Sequence, residues 1–215
     1  MRHWKAIIFD MDGTLFDTET ISMKAWKWVG ETLQLPTSDE FILSLIGRTR
    51  KDQQVVFDSY MPKDWPQEEA CSLHTQFKKE EKLKNGVPLM GDVKGLLDTV
   101  KAKGYTIAMA TSASAEDVEF NLNNADIQHY FEAIISDEMI THGKPTPDVY
   151  LKTAQQLNLS PQECLVVEDS LNGVRAAFGA GTTVVMIPDK VQPTKEIKAM
   201  CNYILKSLDD LKEIV

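Results

Sequence analysis

Residues 6–17 read AIIFDMDGTLFD and join a short apolar run to a group of acids. The apolar run, Ala6–Phe9, predicts a strand buried on both faces of a parallel sheet. Two carboxylates, Asp10 and Asp12, follow at its carboxyl end. Burying carboxylates without partners is costly, or shifts their pKa until they are neutral. An Asp-x-Asp-Gly sequence is also common in turns, so this stretch alone leaves a turn and a functional site equally open.

The length, composition and charge of the chain restrict the kinds of protein and of partner that it can represent. Its 215 residues suit one large domain or a domain with an insert, and 43% hydrophobic with 26% charged residues is typical of a soluble globular protein. A net charge of -9, without a long block of Lys or Arg, argues against a nucleic-acid partner. A small phosphate ester remains possible, because it needs only one or two cations and a metal ion.

The cysteines and the apolar runs bear on location. Cys71, Cys164 and Cys201 are odd in number and widely spaced, which fits neither a disulfide framework nor a metal site and favours a reducing compartment. The apolar run before Asp10 has only four residues, too few for a signal peptide, and no apolar run approaches the ~18 residues of a membrane helix. We therefore expect a cytoplasmic protein without a membrane partner.

Helices and strands segregate along the chain. Residues 17–86 show helical periodicity in four segments, broken near Pro36 and Gly47, and contain no convincing strand. From residue 87 onward, short apolar strands near 105–110, 133–135, 164–167, 183–187 and 203–205 alternate with helices. Such alternation predicts an α/β fold, a doubly wound (Rossmann-like) parallel sheet. The predicted core comprises residues 1–16 and 87–215, with residues 17–86 inserted after the first strand as a helical bundle.

Polar residues follow several predicted strands at the edge where open parallel sheets bind ligands. They are Asp10 and Asp12, Thr111 and Ser112, Ser136 and Asp137 with Lys144 beyond them, and Glu168 and Asp169. Each alone has an ordinary explanation as a helix cap, a turn or a solvated lysine, but together they predict a site. Two carboxylates ~4 Å apart repel by about 4 kcal/mol at an effective dielectric constant of 20, so this acidic edge favours a divalent cation. All-oxygen ligands favour Mg²⁺ over zinc.

The four groups Asp10-Met11-Asp12-Gly13-Thr14-Leu15, Thr111, Lys144-Pro145 and Glu168-Asp169 resemble, in order and spacing, the four motifs of the haloacid dehalogenase-like hydrolase superfamily. The helical insert resembles the cap of its β-phosphoglucomutase-like phosphatase branch. The resemblance extends over nearly the whole chain and implies a Mg²⁺-dependent phosphatase. Four motifs in register are much more specific than Asp-x-Asp-Gly-Thr alone.

The resemblance also implies catalytic roles. Asp10 is expected to be the nucleophile that forms an aspartyl-phosphate, and Asp12 the general acid and then the general base. Thr111, Ser112 and Lys144 are expected to hold the transferring phosphoryl group.

The same resemblance implies a set of Mg²⁺ ligands. They are Asp10, Asp12 through its main-chain carbonyl, and Asp169. Glu168 is either a further ligand through water or a residue that orients the ligands, and the sequence does not choose between these roles.

Two residues of the insert are candidates for binding substrate. Glu19 matches a phosphatase-like pattern, and Arg50, in the segment 47–50, resembles the position of a substrate-contacting arginine; a solvated first turn of the third helix explains Arg50 equally well. Asp17 fits a helix N-cap better than a catalytic role. Mutases of this branch carry a histidine where this chain has Ser22, which weakens the mutase interpretation.

Three functions remain in order of preference. The first is a phosphatase acting on a small phosphorylated metabolite, such as a sugar or polyol phosphate, as a monomer or weak homodimer. The second is a β-phosphoglucomutase-like phosphosugar mutase. The third is a catalytically silent binding protein on the same fold. A dehalogenase fits less well, because those relatives lack the second acid and need no metal.

Overall fold

The computed structural model describes residues 4–46 and 50–215, with the backbone alone for residues 50–52. The described residues divide into two compact units: 4–17 with 88–215, and 18–46 with 50–87. We call the first the core unit and the second the insert. No helix in the described part of the chain is long and apolar enough to cross a membrane.

Parallel strands form the sheet of the core unit. Within the described residues there are six, in the order β3-β2-β1-β4-β5-β6: β1 (Ala6–Phe9), β2 (Thr106–Ala110), β3 (Ala133–Ile135), β4 (Cys164–Glu168), β5 (Thr183–Met186) and β6 (Tyr203–Ile204). Strand β1 lies at the centre, where Ile8 is in register with Ala108 on one side and Val166 on the other. The predicted parallel sheet is therefore confirmed, and the structure adds that the first strand is central.

Helices connect these strands. Those of the core unit are α5 (Val93–Ala102), α6 (Ala115–Ala125), α7 (Asp148–Gln156), α8 (Leu171–Ala180), α9 (Lys195–Met200) and α10 (Leu211–Ile214). Helix α9 was not predicted. It has six residues and buries only Ile197, so it is too short to show a helical period in the sequence. Its start is fixed locally, because the Thr194 side chain accepts a hydrogen bond from the Ile197 N–H.

Strand β1 is central because its sequence tolerates burial on both sides. All four residues of Ala6–Phe9 are fully buried, and Ile8 belongs to an apolar cluster with Val166, Val149 and Val174 from neighbouring strands and helices. Strand β6 differs: Tyr203 and Ile204 are exposed at the edge of the sheet. The first residue after β1 therefore emerges near the middle of the sheet, flanked by the ends of β2 and β4.

The chain leaves the core unit and returns to it at adjacent points. The Asp17 N–H donates to the Pro88 carbonyl, and the Met90 N–H donates to the Leu15 carbonyl. These two main-chain hydrogen bonds hold the departing and returning segments side by side. Inserting about 70 residues therefore leaves the sheet undisturbed, because the ends of the insertion close on each other like a short loop.

Helices with an aromatic interior form the insert. In residues 18–46 and 50–87 they are α1 (Thr18–Leu33), α2 (Asp39–Leu45), α3 (Arg50–Tyr60) and α4 (Gln67–Asn85). Trp26 packs edge-on against Phe41, with ring centroids 5.8 Å apart, and lies 5.6 Å from the ring of Phe57. Trp28 and Trp65 pack against the same cluster. These aromatic side chains therefore form the interior of the insert.

A histidine from α4 reaches Ser22 on α1. The His74 Nε2 lies 3.1 Å from the Ser22 Oγ, and the imidazole stacks on the Trp26 ring with centroids 4.5 Å apart. The sequence shows no histidine near Ser22, since His74 is 52 residues away along the chain. Burial, and to a smaller degree the charge of Lys78, lowers the pKa of His74 to about 4. The pair is therefore neutral at pH 7.

The half-buried His74, with its lowered pKa, predicts an acid-sensitive insert. The unfolded chain binds a proton at His74 more readily than the folded chain. The contribution of His74 to the unfolding free energy is therefore at its most favourable above pH 6.5, and it is lost as the pH falls toward 4. The H74Q variant keeps a hydrogen-bonding group but cannot titrate. Between pH 7 and pH 4.5 we expect the unfolding free energy of the wild type to fall by about 2–3 kcal/mol more than that of H74Q.

Urea unfolding followed by tryptophan fluorescence measures this difference. Trp26, Trp28 and Trp65 all lie in the insert, so the signal reports mainly on that unit. Comparing the two proteins at each pH cancels the titration of the carboxylates that they share. Parallel pH profiles for wild type and H74Q would contradict the prediction.

Candidate active site

The segment after β1 is a tight turn that presents Asp10. The Asp10 N–H extends the sheet by donating to the Val167 carbonyl at 3.0 Å, and the Leu15 and Phe16 N–H groups both donate to the Met11 carbonyl. Gly13 adopts a φ of 78°, which favours glycine. A Cβ at Gly13 would also lie 2.3 Å from the Asp169 Oδ2. Glycine is therefore required here both for the turn and for room beside Asp169.

Lys144 lies between two buried carboxylates. Its Nζ is 2.5 Å from the Asp10 Oδ1 and 2.6 Å from the Glu168 Oε1, and it donates a longer hydrogen bond of 3.3 Å to the Ala110 carbonyl. Only 8% of the Lys144 side chain and 8% of the Asp10 side chain are exposed. An ammonium group has three donors, and these three described acceptors match that number. The side chain is therefore held in one position at the carboxyl ends of β1, β2 and β4.

Glu168 is the most completely hydrogen-bonded acid of the group. Its Oε1 accepts from Lys144 and, at 2.6 Å, from the Tyr150 hydroxyl. Its Oε2 accepts from the Asp169 N–H, the Ser170 N–H and the Ser170 hydroxyl at 3.0–3.1 Å. A Cβ at Gly173 would lie 1.7 Å from the Glu168 Oε1. The first turn of α8 must therefore carry a glycine for this carboxylate to fit.

The protonation of the cluster depends on its burial. Burial raises the pKa of Asp10 to about 8, although the charge of Lys144 opposes this shift. Burial also opposes ionisation of Glu168, but Lys144 and the hydrogen bonds from Tyr150 and Ser170 outweigh it and lower the pKa of Glu168. Asp10 and Glu168 keep the pKa of Lys144 well above its ordinary value, against the effect of burial. The single ammonium of Lys144 is thus shared by two buried carboxylates, and the pKa of Asp10 stays above its ordinary value.

These carboxylates fit a divalent cation. One oxygen each from Asp10, Glu168 and Asp169 can be chosen so that all lie within 4.8 Å of one another. The Thr14 hydroxyl also lies 3.5 Å from the Asp169 Oδ1. An all-oxygen donor set suits Mg²⁺, and a cation would offset the charge that burial disfavours on Asp10. The side chain of Asp12 does not belong to this group in the described part of the chain, so its expected contribution is limited to the main chain.

Thr111 and Ser112 follow β2 at the same edge. The Thr111 N–H donates to the Ile135 carbonyl, and its buried Oγ1 accepts a hydrogen bond from the Ala113 N–H at 3.0 Å. The hydroxyl proton of Thr111 remains available as a donor. Ser112 is exposed. The turn that begins α6 therefore places two hydroxyl groups after β2, next to β1, which Asp10 follows.

The structure gives a position in the fold for the other predicted site residues that it describes. Asp12 is half-buried after β1, and Asp17 immediately precedes α1, the N-cap position expected from the sequence. Glu19 lies in the first turn of α1 in the insert. Residues 47–49 and the side chain of Arg50 fall outside the described residues, so the expectation for this segment stays a prediction.

Sequence patterns did not indicate Tyr150 and Gly173, which contact or adjoin Glu168, or Lys190, which contacts Asp17. Tyr150 and Gly173 belong to amphipathic helices, where they are indistinguishable from ordinary packing residues. Lys190 follows β5, and its Nζ lies 2.9 Å from the Asp189 Oδ1 and 3.8 Å from the Asp17 Oδ1. The signal that could have revealed Lys190 is its position shortly after a predicted strand, as for Lys144.

The chain is similar to proteins of one family. A family model described as haloacid dehalogenase-like hydrolase matches residues 7–187. A phosphorylated carbohydrates phosphatase from Thermotoga maritima is 31% identical over 180 residues, covering 82% of this chain and 82% of that protein. The fructose-1-phosphate phosphatase YqaB of Escherichia coli is 30% identical over 185 residues, covering 85% and 95%. The crystal structure of CbbY from Rhodobacter sphaeroides in complex with phosphate shares the fold with a TM-score of 0.77 at 26% identity, over 97% of this chain and 96% of that one.

The predicted enzyme class and the predicted fold agree with the comparisons and with the structure. The curated relatives are named phosphatases, so the predicted enzyme class, a phosphoric monoester hydrolase, is confirmed. The parallel sheet with a helical insert after its first strand is also the predicted architecture. With its family model matched from the first strand to the end of the fifth, the chain belongs to the haloacid dehalogenase-like hydrolase family.

Proposed function

We propose that this protein is a Mg²⁺-dependent phosphatase that hydrolyses a sugar or polyol phosphate through an aspartyl-phosphate intermediate. The observation that carries the proposal is the buried Asp10, paired with Lys144 and adjoining the acids Glu168 and Asp169 at the carboxyl end of the central strand. A carboxylate in this position can act as a nucleophile, and the neighbouring ammonium of Lys144 can hold the phosphoryl group it attacks.

Two displacements complete the reaction. In the first, a carboxylate oxygen of Asp10 forms a bond to phosphorus while the bond to the sugar oxygen breaks, and Asp12 gives its proton to that leaving oxygen. In the second, Asp12 takes a proton from a water molecule whose oxygen attacks phosphorus. The bond between Asp10 and phosphorus then breaks, which releases inorganic phosphate and restores both carboxyl groups.

Lys144 and the residues after β2 orient the phosphoryl group. Lys144 has one long hydrogen bond, to the Ala110 carbonyl, and this donor is the one a phosphoryl oxygen would take over at least cost. Thr111 offers its hydroxyl proton, and Ser112 is exposed at the same strand end. These groups stabilise the charge on the phosphoryl oxygens as it redistributes in the transition state.

Asp10, Asp169 and the main-chain carbonyl of Asp12 would hold Mg²⁺. Glu168 would act as a further ligand or orient the others. The ion supplies positive charge that reduces the repulsion between an anionic nucleophile and an anionic substrate. That charge also favours the ionised form of Asp10, which burial alone disfavours.

A carbohydrate phosphate is the substrate class that the relatives support. One is named a phosphatase of phosphorylated carbohydrates and another a fructose-1-phosphate phosphatase. The acidic net charge of -9 adds no argument for a polyanionic partner such as nucleic acid.

Phosphate release from a panel of phosphate esters tests the proposal. The panel contains hexose, pentose and polyol phosphates, nucleotides and an aryl phosphate, each assayed with Mg²⁺ and with EDTA. We expect Mg²⁺-dependent release that is fastest with a sugar or polyol phosphate. A complete lack of release across the panel would instead favour the catalytically silent binding protein.

A phosphosugar mutase is the second candidate, and His74 is the observation that favours it. Mutases of this branch carry a histidine at the position of Ser22, and this chain brings His74 to within 3.1 Å of Ser22 from another helix. A mutase would convert a hexose 1-phosphate to its isomer when a hexose bisphosphate is supplied, without net phosphate release. Measuring isomer and phosphate in the same reaction separates the two functions.

The D12A variant tests the acid role of Asp12. Without an acid, an alkyl leaving group must depart as an alkoxide, whereas an aryl leaving group is stable as the anion. We expect kcat to fall about 100-fold for a sugar phosphate and only a few-fold for p-nitrophenyl phosphate in the first step. Burst kinetics with the aryl ester separate this step from hydrolysis of the intermediate. Equal losses for both esters in the first step would remove Asp12 from the acid role.

A further inference from the structure

We infer that Tyr150 is a positioning residue that sets how the ammonium of Lys144 is shared between Asp10 and Glu168. The Tyr150 hydroxyl donates to the Glu168 Oε1 at 2.6 Å, and the same oxygen accepts from Lys144 at 2.6 Å. The inference rests on the proposed function, in which Lys144 holds the phosphoryl group. It concerns a residue of α7 whose hydroxyl contacts Glu168 and whose ring faces Lys144.

Burial makes the Tyr150 hydroxyl dependent on this one bond. Both Tyr150 and Glu168 are fully buried, and a buried tyrosine hydroxyl without a partner is costly. The Lys144 Nζ also lies 5.1 Å from the centroid of the Tyr150 ring. Tyr150 therefore contacts both members of the Lys144–Glu168 ion pair: its hydroxyl donates to the carboxylate, and its ring faces the ammonium.

The hydroxyl balances two attractions on Lys144. The two carboxylate oxygens lie at nearly equal distances from its Nζ, 2.5 Å for Asp10 and 2.6 Å for Glu168. Donation from Tyr150 satisfies part of the charge on the Glu168 Oε1 and so weakens its pull on Lys144. Without that donation, Glu168 draws the ammonium toward itself and away from Asp10, where the phosphoryl group must be held.

The Y150F variant removes only the hydroxyl. We expect kcat to fall about 10-fold and the dissociation constant of inorganic phosphate, measured with Mg²⁺ by calorimetry, to rise about 5-fold. The matched control is Y130F: the Tyr130 hydroxyl donates to the Asp98 Oδ1 at the same 2.6 Å, but on the surface of the core unit. Y130F should stay within twofold of the wild type in both measurements.

A double-variant cycle separates positioning from simple packing. If Tyr150 acts through Glu168, adding Y150F to E168Q should change phosphate affinity by less than twofold. A packing role would give the same loss in both backgrounds and would overturn the inference, as would Y150F matching the wild type in both kcat and phosphate affinity.

A measurement on the wild type covers the case in which Y150F does not fold. In protein labelled with ¹³Cζ-tyrosine, the Tyr150 resonance should shift when phosphate and Mg²⁺ are added, while that of Tyr130 stays in place. A Tyr150 resonance unchanged at saturating phosphate would overturn the inference. Failure of the wild type to bind phosphate or to hydrolyse any ester contradicts the proposed function instead.

Discussion

Replacing Asp10 with asparagine (D10N) should reduce kcat by about 10⁴-fold or more while the protein remains folded. The amide has the shape of the carboxylate but cannot form the acyl phosphate. Folding should be preserved, because burial already raises the pKa of Asp10 to about 8 and a neutral side chain is therefore tolerated at this position. Lys144 keeps Glu168 and the Ala110 carbonyl as acceptors.

The control for D10N is D209N on the surface. The Asp209 Oδ1 also accepts from a lysine, Lys212, at 2.9 Å, but 62% of its side chain is exposed. D209N should keep full activity. Phosphate release with the best ester of the panel and thermal unfolding are measured for all three proteins. Activity of D10N within 100-fold of the wild type would remove Asp10 from the nucleophile role.

Replacing Lys144 with methionine (K144M) should affect both catalysis and stability. Removing the ammonium leaves Asp10 and Glu168 buried without their common partner, and breaking a buried ion pair in this way costs about 3–5 kcal/mol of unfolding free energy. We expect kcat/KM to fall by about 10³-fold, because the phosphoryl group loses a fixed positive charge. Chemical denaturation and steady-state kinetics measure the two effects.

Two further variants show whether the effects of K144M come from the lost charge, from its geometry or from its burial. K144R keeps the charge but changes its geometry, so it should retain most of the stability while kcat/KM stays low. K5M removes a lysine that lies 2.6 Å from the Glu163 Oε1 with 64% of its side chain exposed, and it should change stability little because water already screens that pair. K144M with stability equal to that of K5M, or with activity within tenfold of the wild type, would contradict the assignment.

Local patterns were enough to predict most of the fold. Ala6–Phe9 is apolar at every position, which in a short segment indicates a strand covered on both faces, and the alternation of such runs with helices indicates a parallel sheet. Helix α9, with one buried residue in six, gives no such signal. Short elements at the edge of a fold are stabilised by their neighbours, so their sequences carry little information of their own.

The acids and the lysine of the site were predicted by the same means. Asp10, Thr111 and Glu168 each stand directly after a predicted strand, and Lys144 stands nine residues after another. Parallel strands bring such residues to one edge. The geometry around them was not predictable. Nothing in the sequence pairs Tyr150 with Glu168, because a tyrosine on the apolar face of a helix looks like packing until the distance between hydroxyl and carboxylate is known.

Residues 6–17 show most clearly which properties the sequence determines and which only the tertiary structure decides. Their sequence specifies a buried strand followed by acids in a glycine turn, because strand burial and turn formation depend on neighbours along the chain. It does not specify that burial raises the pKa of Asp10 to about 8, that Lys144 lies 2.5 Å away, or that Gly13 leaves room for Asp169. Those properties arise between residues more than 130 positions apart, as from Asp10 to Lys144. Such contacts exist only once the sheet has brought the strand ends together.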